Sequence, residues 1–94
     1  MRQYGPPTSP PPTVIPPKPS YSYIIDCLYY TTYVWLKNGR QFWFYPTSVE
    51  YGAVTGYRWT GRYWTFYGFD SRLIDEVACL VPTPYRNLSD DKSL

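Results

Sequence analysis

Large apolar and β-branched side chains crowd into the middle of this chain, between Tyr21 and Val81, while both flanks are proline-rich or polar. Thr31 to Lys37 and Val54 to Trp59 are runs of β-formers, and the sequence Gly-Arg-x-x-x-Phe-Tyr follows close behind each, at residues 39–45 and 61–67. A strand-forming run, a glycine turn and an aromatic return predict two β-hairpins in tandem. Asn38-Gly39, taken as a two-residue turn, pairs Lys37 with Arg40, Trp35 with Phe42 and Tyr33 with Phe44 on one face. Leu36–Gln41, Val34–Trp43 and Thr32–Tyr45 then lie on the other. Thr60-Gly61, taken the same way, pairs Trp59 with Arg62, Tyr57 with Trp64 and Thr55 with Phe66. Arg58, Tyr63, Gly56, Thr65, Val54 and Tyr67 fall opposite. Superposing the two copies gives one aromatic face of Tyr33, Trp35, Phe42, Phe44, Tyr57, Trp59, Trp64 and Phe66, which is the expected core.

Around the hairpins, Tyr21 onward reads as a lead-in strand running towards Thr31. Asp70-Ser71-Arg72-Leu73 suits a single helical turn capped by Asp70 or Ser71. Ile74 to Val81 reads as a closing strand. The expected fold is all-β: a small, strongly bent, five-stranded antiparallel barrel, SH3-like or Sm-like, with an extended proline-rich N-terminal segment. Sm-like barrels normally begin with a helix, and prolines and tyrosines stand there instead, which weakens an RNA-binding inference from that side. The organisation is an extended tail over 1–20, a barrel domain over 21–81 and a polar tail over 82–94.

Eight of the eleven prolines lie between Pro6 and Pro19. Such a segment cannot form a core and favours the polyproline II conformation, which docks at low entropic cost. It is a solvated spacer or a docking segment on aromatic residues; for docking, the positions are Pro7, Pro10, Pro12, Ile15, Pro16 and Pro17, with Pro7 and Pro10 in PxxP spacing. The net charge of +2 hides a neutral middle, since Tyr21 to Leu80 holds five basic and five acidic residues. Nucleic acid is therefore a poor partner. Lys37 and Arg40 at one turn with Arg58 and Arg62 at the other form a basic rim, the ordinary dress of exposed turns.

Cys27 and Cys79 are the only cysteines and bracket the aromatic region. They are expected to meet and staple the first strand to the last, although two small buried hydrophobes that never meet is the alternative. Two cysteines without a histidine do not make a structural zinc site, and no cofactor is implied. Enzyme chemistry lacks parts: no histidine base, no nucleophile–base pair and no phosphate loop. Glu50 and Asp70 are the only carboxylate pair near aromatic surface, and a loop residue and a turn cap explain them. The N-terminus leads into prolines rather than an apolar signal region, and no apolar run reaches transmembrane length. The expectation is synthesis in the cytoplasm without membrane insertion.

Twenty of ninety-four residues are aromatic, more than one face of so small a sheet can bury. Trp43, Tyr45, Tyr63 and Tyr67, opposite the expected core, are the candidate binding or assembly surface. Packing beneath the N-terminal segment, or a register one residue off, would bury them instead. The run from Tyr33 to Pro46, with Gly56-Tyr57-Arg58-Trp59, Phe66-Tyr67-Gly68-Phe69-Asp70 and Cys79, resembles a group of short, aromatic-rich, cysteine-bracketed proteins of spore-forming Bacillota. The resemblance covers residues 27–79 and brings no established activity. It implies deposition on the spore surface after synthesis in the mother-cell cytoplasm, with oxidation after lysis.

Three functions follow as expectations. The first is a non-enzymatic structural or interaction protein that self-assembles, or joins another surface-layer protein, through exposed aromatics and the N-terminus. The second is a binding module for carbohydrate or proline-rich peptide, with the same four aromatics as a stacking platform. The third is Sm-like RNA binding by the basic rim.

Overall fold

The structure, a computed structural model, describes residues 5–19 and 23–79. In chain order it contains the 3-10 turn η1 (Ile24–Cys27), strands β1 (Thr32–Leu36), β2 (Gln41–Glu50), β3 (Ala53–Trp59) and β4 (Trp64–Asp70), the 3-10 turn η2 (Ser71–Leu73) and strand β5 (Ile74–Cys79). One antiparallel sheet results, ordered β4-β3-β2-β1-β5. The fold is all-β as the sequence predicts. Among the described residues no ladder joins β4 to β5, so the sheet is open and "barrel" fits it only loosely.

Chain connectivity forces the sheet to roll. β4 and β5 are opposite edges, yet only the three residues of η2 separate them. Laid flat, four strand gaps would span about 19 Å, whereas three residues of 3-10 helix advance only about 6 Å. The long strand β2 provides the bend, pairing with β1 through Phe44 and with β3 from Phe44 onward, with a ladder irregularity between Pro46 and Ser48. A proline without an N–H is tolerated at such a bulge, which kinks the strand. The roll is fastened by η2. Ser71 N donates to Gly52 O and Lys37 N donates to Leu73 O, each at 2.8 Å, so the turn is tied to the connections on both sides of β2.

The inner face of the roll is the main core. Val34, Leu36, Phe42, Phe44, Val54 and Val77 are buried there with Ile24 and Cys27 of η1. Tyr67 and Phe69 of β4 close it, with edge-to-face contacts such as Phe44–Phe69 at 5.2 Å and Phe42–Tyr67 at 5.7 Å between ring centroids. Cys27 and Cys79 are joined as a disulfide, Cα–Cα 5.6 Å, which clamps η1 to the end of β5.

The first hairpin departs from its predicted register by one residue. Thr32 pairs with Phe44, Tyr33 with Trp43, Val34 with Phe42 and Trp35 with Gln41. The turn is a three-residue loop, not a two-residue one. Leu36 N donates to Arg40 O, Gly39 N donates to Leu36 O, and Gly39 sits at φ +92°. Asn38 Oδ1 accepts from Arg40 N and completes it. Glycine in this loop supplies the bulge that a three-residue hairpin needs. A one-residue slip exchanges the faces, so Phe42 and Phe44 go inward while Tyr33, Trp35 and Trp43 go outward.

The second hairpin is off by two residues, pairing Trp59 with Trp64 and Tyr57 with Phe66. An even shift preserves the faces. Thr60 opens a four-residue loop, its Oγ1 accepting from Arg62 N and Tyr63 N. The expected single aromatic core is thus corrected: its first-hairpin half divides between two faces, and its second-hairpin half faces out. The lead-in strand is also corrected, since Ile24–Cys27 forms a 3-10 turn. The expected tail 82–94, the last two residues of the closing strand and the start of the lead-in lie outside the described residues.

Asp70 caps η2 as expected, accepting from Arg72 N at 2.8 Å and pairing with the Arg72 guanidinium. The side-chain bond from Arg72, then the backbone bond from the same residue, hold the Asp70 carboxyl down from 3.8 to about 2. Because the folded pKa is depressed, this cap stabilises above the ordinary carboxylate range and fades as pH falls towards 2. Asp70→Ala should therefore lower the urea midpoint at neutral pH, and the deficit should shrink steadily on acidification through that window. A pH-independent deficit would place the effect elsewhere.

Candidate ligand-binding face

The outer face of the sheet carries a row of aromatic rings that crosses the strands. Trp64 of β4 pairs with Trp59 of β3, and Tyr33 of β1 pairs with both Trp43 of β2 and Ala78 of β5. Phe44 pairs with Arg58, so the next positions in that ladder, Trp43 and Trp59, are neighbours. The row therefore runs Trp64, Trp59, Trp43, Tyr33, Ala78 from edge to edge, with Trp35 beside Tyr33. All four tryptophans of the chain belong to this cluster. Edge-on contacts lock it, at 5.3 Å for Trp59–Trp64, 5.0 Å for Tyr33–Trp43 and 4.9 Å for Tyr33–Trp35. The Tyr33 hydroxyl donates to Gln41 Oε1 at 3.0 Å, and burial pushes its pKa up.

The outer face of a single sheet should be wet, yet Tyr33, Trp35 and Trp43 are only 5–9 % exposed. The proline segment is held at both edges of this sheet. Trp64 Nε1 donates to the Ser9 carbonyl at 2.9 Å, on one edge strand. Lys18 forms an ion pair with Asp75, on the other. Nine residues of polyproline II reach about 28 Å, enough to cross the sheet's roughly 19 Å width and follow its curvature. Between these anchors Pro11 and Pro16 are half-buried and the other residues of 10–17 face solvent. Near its start, Pro6 to Pro10 enclose a groove of about 400 Å³ with Trp59, Arg62, Tyr63 and Trp64.

The expected docking positions divide within the segment. Pro7 and Pro10 line the groove and Pro16 is half-buried, while Pro12, Ile15 and Pro17 face solvent. The expected surface quartet also divides. Trp43 is buried in the row and Tyr45 is half-buried two positions along the same face. Tyr63 stands exposed at the hairpin loop beside the groove, whereas Tyr67 packs inward on Phe42 and Phe44. The basic rim is not one surface. Lys37, Arg40 and Arg62 are exposed on two separate turns. Arg58 lies on the inner face, its guanidinium 4.9 Å from the Phe42 ring and 5.1 Å from that of Tyr67, with Nε buried and unbonded.

Trp59, Trp64, Tyr33, Trp35 and Asp75 are thus site residues that sequence reasoning places in the core or leaves without a role. One signal bears on them: Lys18 is the only cation in the long proline tract, and it is the residue that reaches Asp75. Among the described residues no group of three His, Cys, Asp or Glu side chains could hold a metal, and no helix is long and apolar enough to cross a membrane. In comparisons with known proteins, no family model, curated protein or solved structure matches this chain.

Proposed function

We propose that the protein is a non-enzymatic structural and interaction protein, a component of a spore surface layer or appendage that self-assembles through exposed aromatics and its proline-rich N-terminus. One observation carries this reading: the groove at Trp59 and Trp64 has a proline segment seated in it, and that segment is the chain's own. A surface that recognises part of its own chain can recognise the same part of a neighbour. Beside the groove, Tyr63 and Phe66 remain 61 % and 66 % exposed, and aromatics of this kind are favoured anchors between proteins. Both cysteines are consumed within one chain, so assembly rests on non-covalent contacts, and the disulfide suits a compartment where oxidation is allowed.

The test is native mass across a concentration series. The expected result is a particle that grows with concentration above the 11.1 kDa chain and returns to single chains in non-reducing denaturant. A constant single-chain mass at every concentration would overturn the reading.

The second reading is a monomeric binding module. The seated segment favours proline-rich peptide over carbohydrate, because prolines already occupy the groove at Trp59 and Trp64. RNA binding by Lys37, Arg40, Arg58 and Arg62 draws no support from a rim with Arg58 turned inward.

A further inference from the structure

Resting on that reading, we propose that the groove at Trp59 and Trp64, together with Asp75 at the opposite edge, is a directional docking track for a proline-rich segment, held by residues 6–18 of the same chain and, between copies, by those of a second chain. A polyproline II segment has no internal hydrogen bonds, so its carbonyls are free to accept from outside. Flat aromatic faces combined with an indole N–H donor are the chemistry that holds such a segment. Trp59 and Trp64 supply both, and Trp64 Nε1 already bonds a carbonyl of the segment.

Direction comes from two unlike anchors. A neutral indole N–H stands at the β4 edge and the Asp75 carboxylate at the β5 edge. Reversing the segment would set carbonyl oxygens against the carboxylate and the lysine against an N–H donor, so both ends would repel. The ligand therefore runs in one sense: proline-rich, with a lysine nine residues after the residue that bonds Trp64.

The seat is releasable. Lys18 and Asp75 are 48 % and 43 % exposed, and exposed ion pairs contribute little. Occupancy within the chain then depends largely on tethering, which supplies an effective concentration of about a millimolar. A second copy competes once chains are packed to a similar density, as in a surface layer. The sheet need not unfold for this, because the Cys27–Cys79 bond secures the polypeptide after the segment to β5. Passing the segment from each copy to the next is a head-to-tail contact, which builds open chains or rings.

The experiment uses the full, oxidised chain and a fluorescent peptide of residues 5–19, followed by anisotropy. The unaltered chain should take up the peptide weakly, since its own segment holds the track. Lys18→Glu places the chain's own segment against Asp75 with like charge while the peptide keeps its lysine, so peptide affinity should rise roughly fivefold. Adding Asp75→Lys should reverse the gain, because the carboxylate introduced into the chain's own segment then finds a cation at the β5 edge and the peptide lysine is repelled. Adding Trp64→Phe to Lys18→Glu should weaken the peptide by removing the indole donor. Equal uptake by all these chains, or none by Lys18→Glu, would overturn the track. A Lys18→Glu chain that binds peptide while the unaltered protein never gains mass keeps the track and removes self-assembly. A protein that gains mass without any variant binding peptide removes the track and keeps assembly.

Discussion

Gly56→Ala should leave most of the protein unfolded. A Cβ at this position would overlap the Tyr45 carbonyl oxygen and come within 2.8 Å of Pro46 Cα. Those atoms are backbone, so no side-chain rotation relieves the overlap, and β3 would have to move away from β2 where β2 bends. That bend lets the sheet roll and brings η2 to both neighbouring turns, so the strain reaches the whole core. Forcing backbone apart in a packed interior is expected to cost on the order of 4 kcal/mol, comparable to the roughly 3–5 kcal/mol that the core of a domain this small supplies. Near-UV circular dichroism and a urea titration would read the loss. Gly68→Ala is the control. There the new methyl would meet Thr55 Cγ2 at 3.2 Å, a side-chain contact that can yield, so the midpoint should change by about 1 kcal/mol or less. Similar behaviour of the two variants would show that the bend is not the critical point.

The place of the bend, unlike the order of elements, is hard to read from residues. Pro46 inside an aromatic strand and Gly56 inside another are visible as irregularities, but their opposition depends on a register set by turns. Asn38-Gly39 serves a two-residue loop and a three-residue loop equally well. The choice is normally settled by which alternate residues are polar. In β1 that information is missing, because Thr32, Tyr33, Val34, Trp35 and Leu36 are all buried. A strand covered on both sides shows no alternation. The second hairpin behaves differently. Its strands keep their mixed burial and its error is even, so the faces of Tyr57, Trp59, Trp64 and Phe66 come out together although their pairing does not.

The same missing alternation hides the site. β1 is buried on both faces, so no polar alternation within the strand marks Tyr33 and Trp35 as outward-facing. The proline tract is recognisable from its composition as a spacer or a docking element. Its target is not, since Trp59 and Trp64 become neighbours of Tyr33 and Trp43 only once both registers are known. Arg58 shows the converse limit. A charge next to a turn reads as surface, and only the packing reveals two ring faces that receive it.

Reducing the disulfide should bring the protein close to its unfolding midpoint. Cys27 and Cys79 are separated by 52 positions, and closing a loop of that size removes about 4 kcal/mol of freedom from the unfolded chain. In a domain of roughly sixty residues this approaches the whole stability of the core, and it corresponds to a fall of about 20 °C in the melting temperature. The effect should extend beyond stability, because β5 holds the N-terminal region at two places. Asp75 near its start takes Lys18, and Cys79 at its end takes η1. Breaking the covalent hold leaves the proline segment attached through an exposed ion pair and one indole hydrogen bond. The groove at Trp59 and Trp64 should then lose its prolines before the inner core melts. Tryptophan emission, which reports the outer face because all four tryptophans lie there, should shift to the red at a lower temperature than the near-ultraviolet signal of the inner phenylalanines and Tyr67 is lost. In the oxidised protein the two transitions should coincide. A Cys27→Ser, Cys79→Ser chain provides the same comparison without reductant. If it melts within a few degrees of the parent in a single transition, the bridge neither carries the stability nor roots the segment.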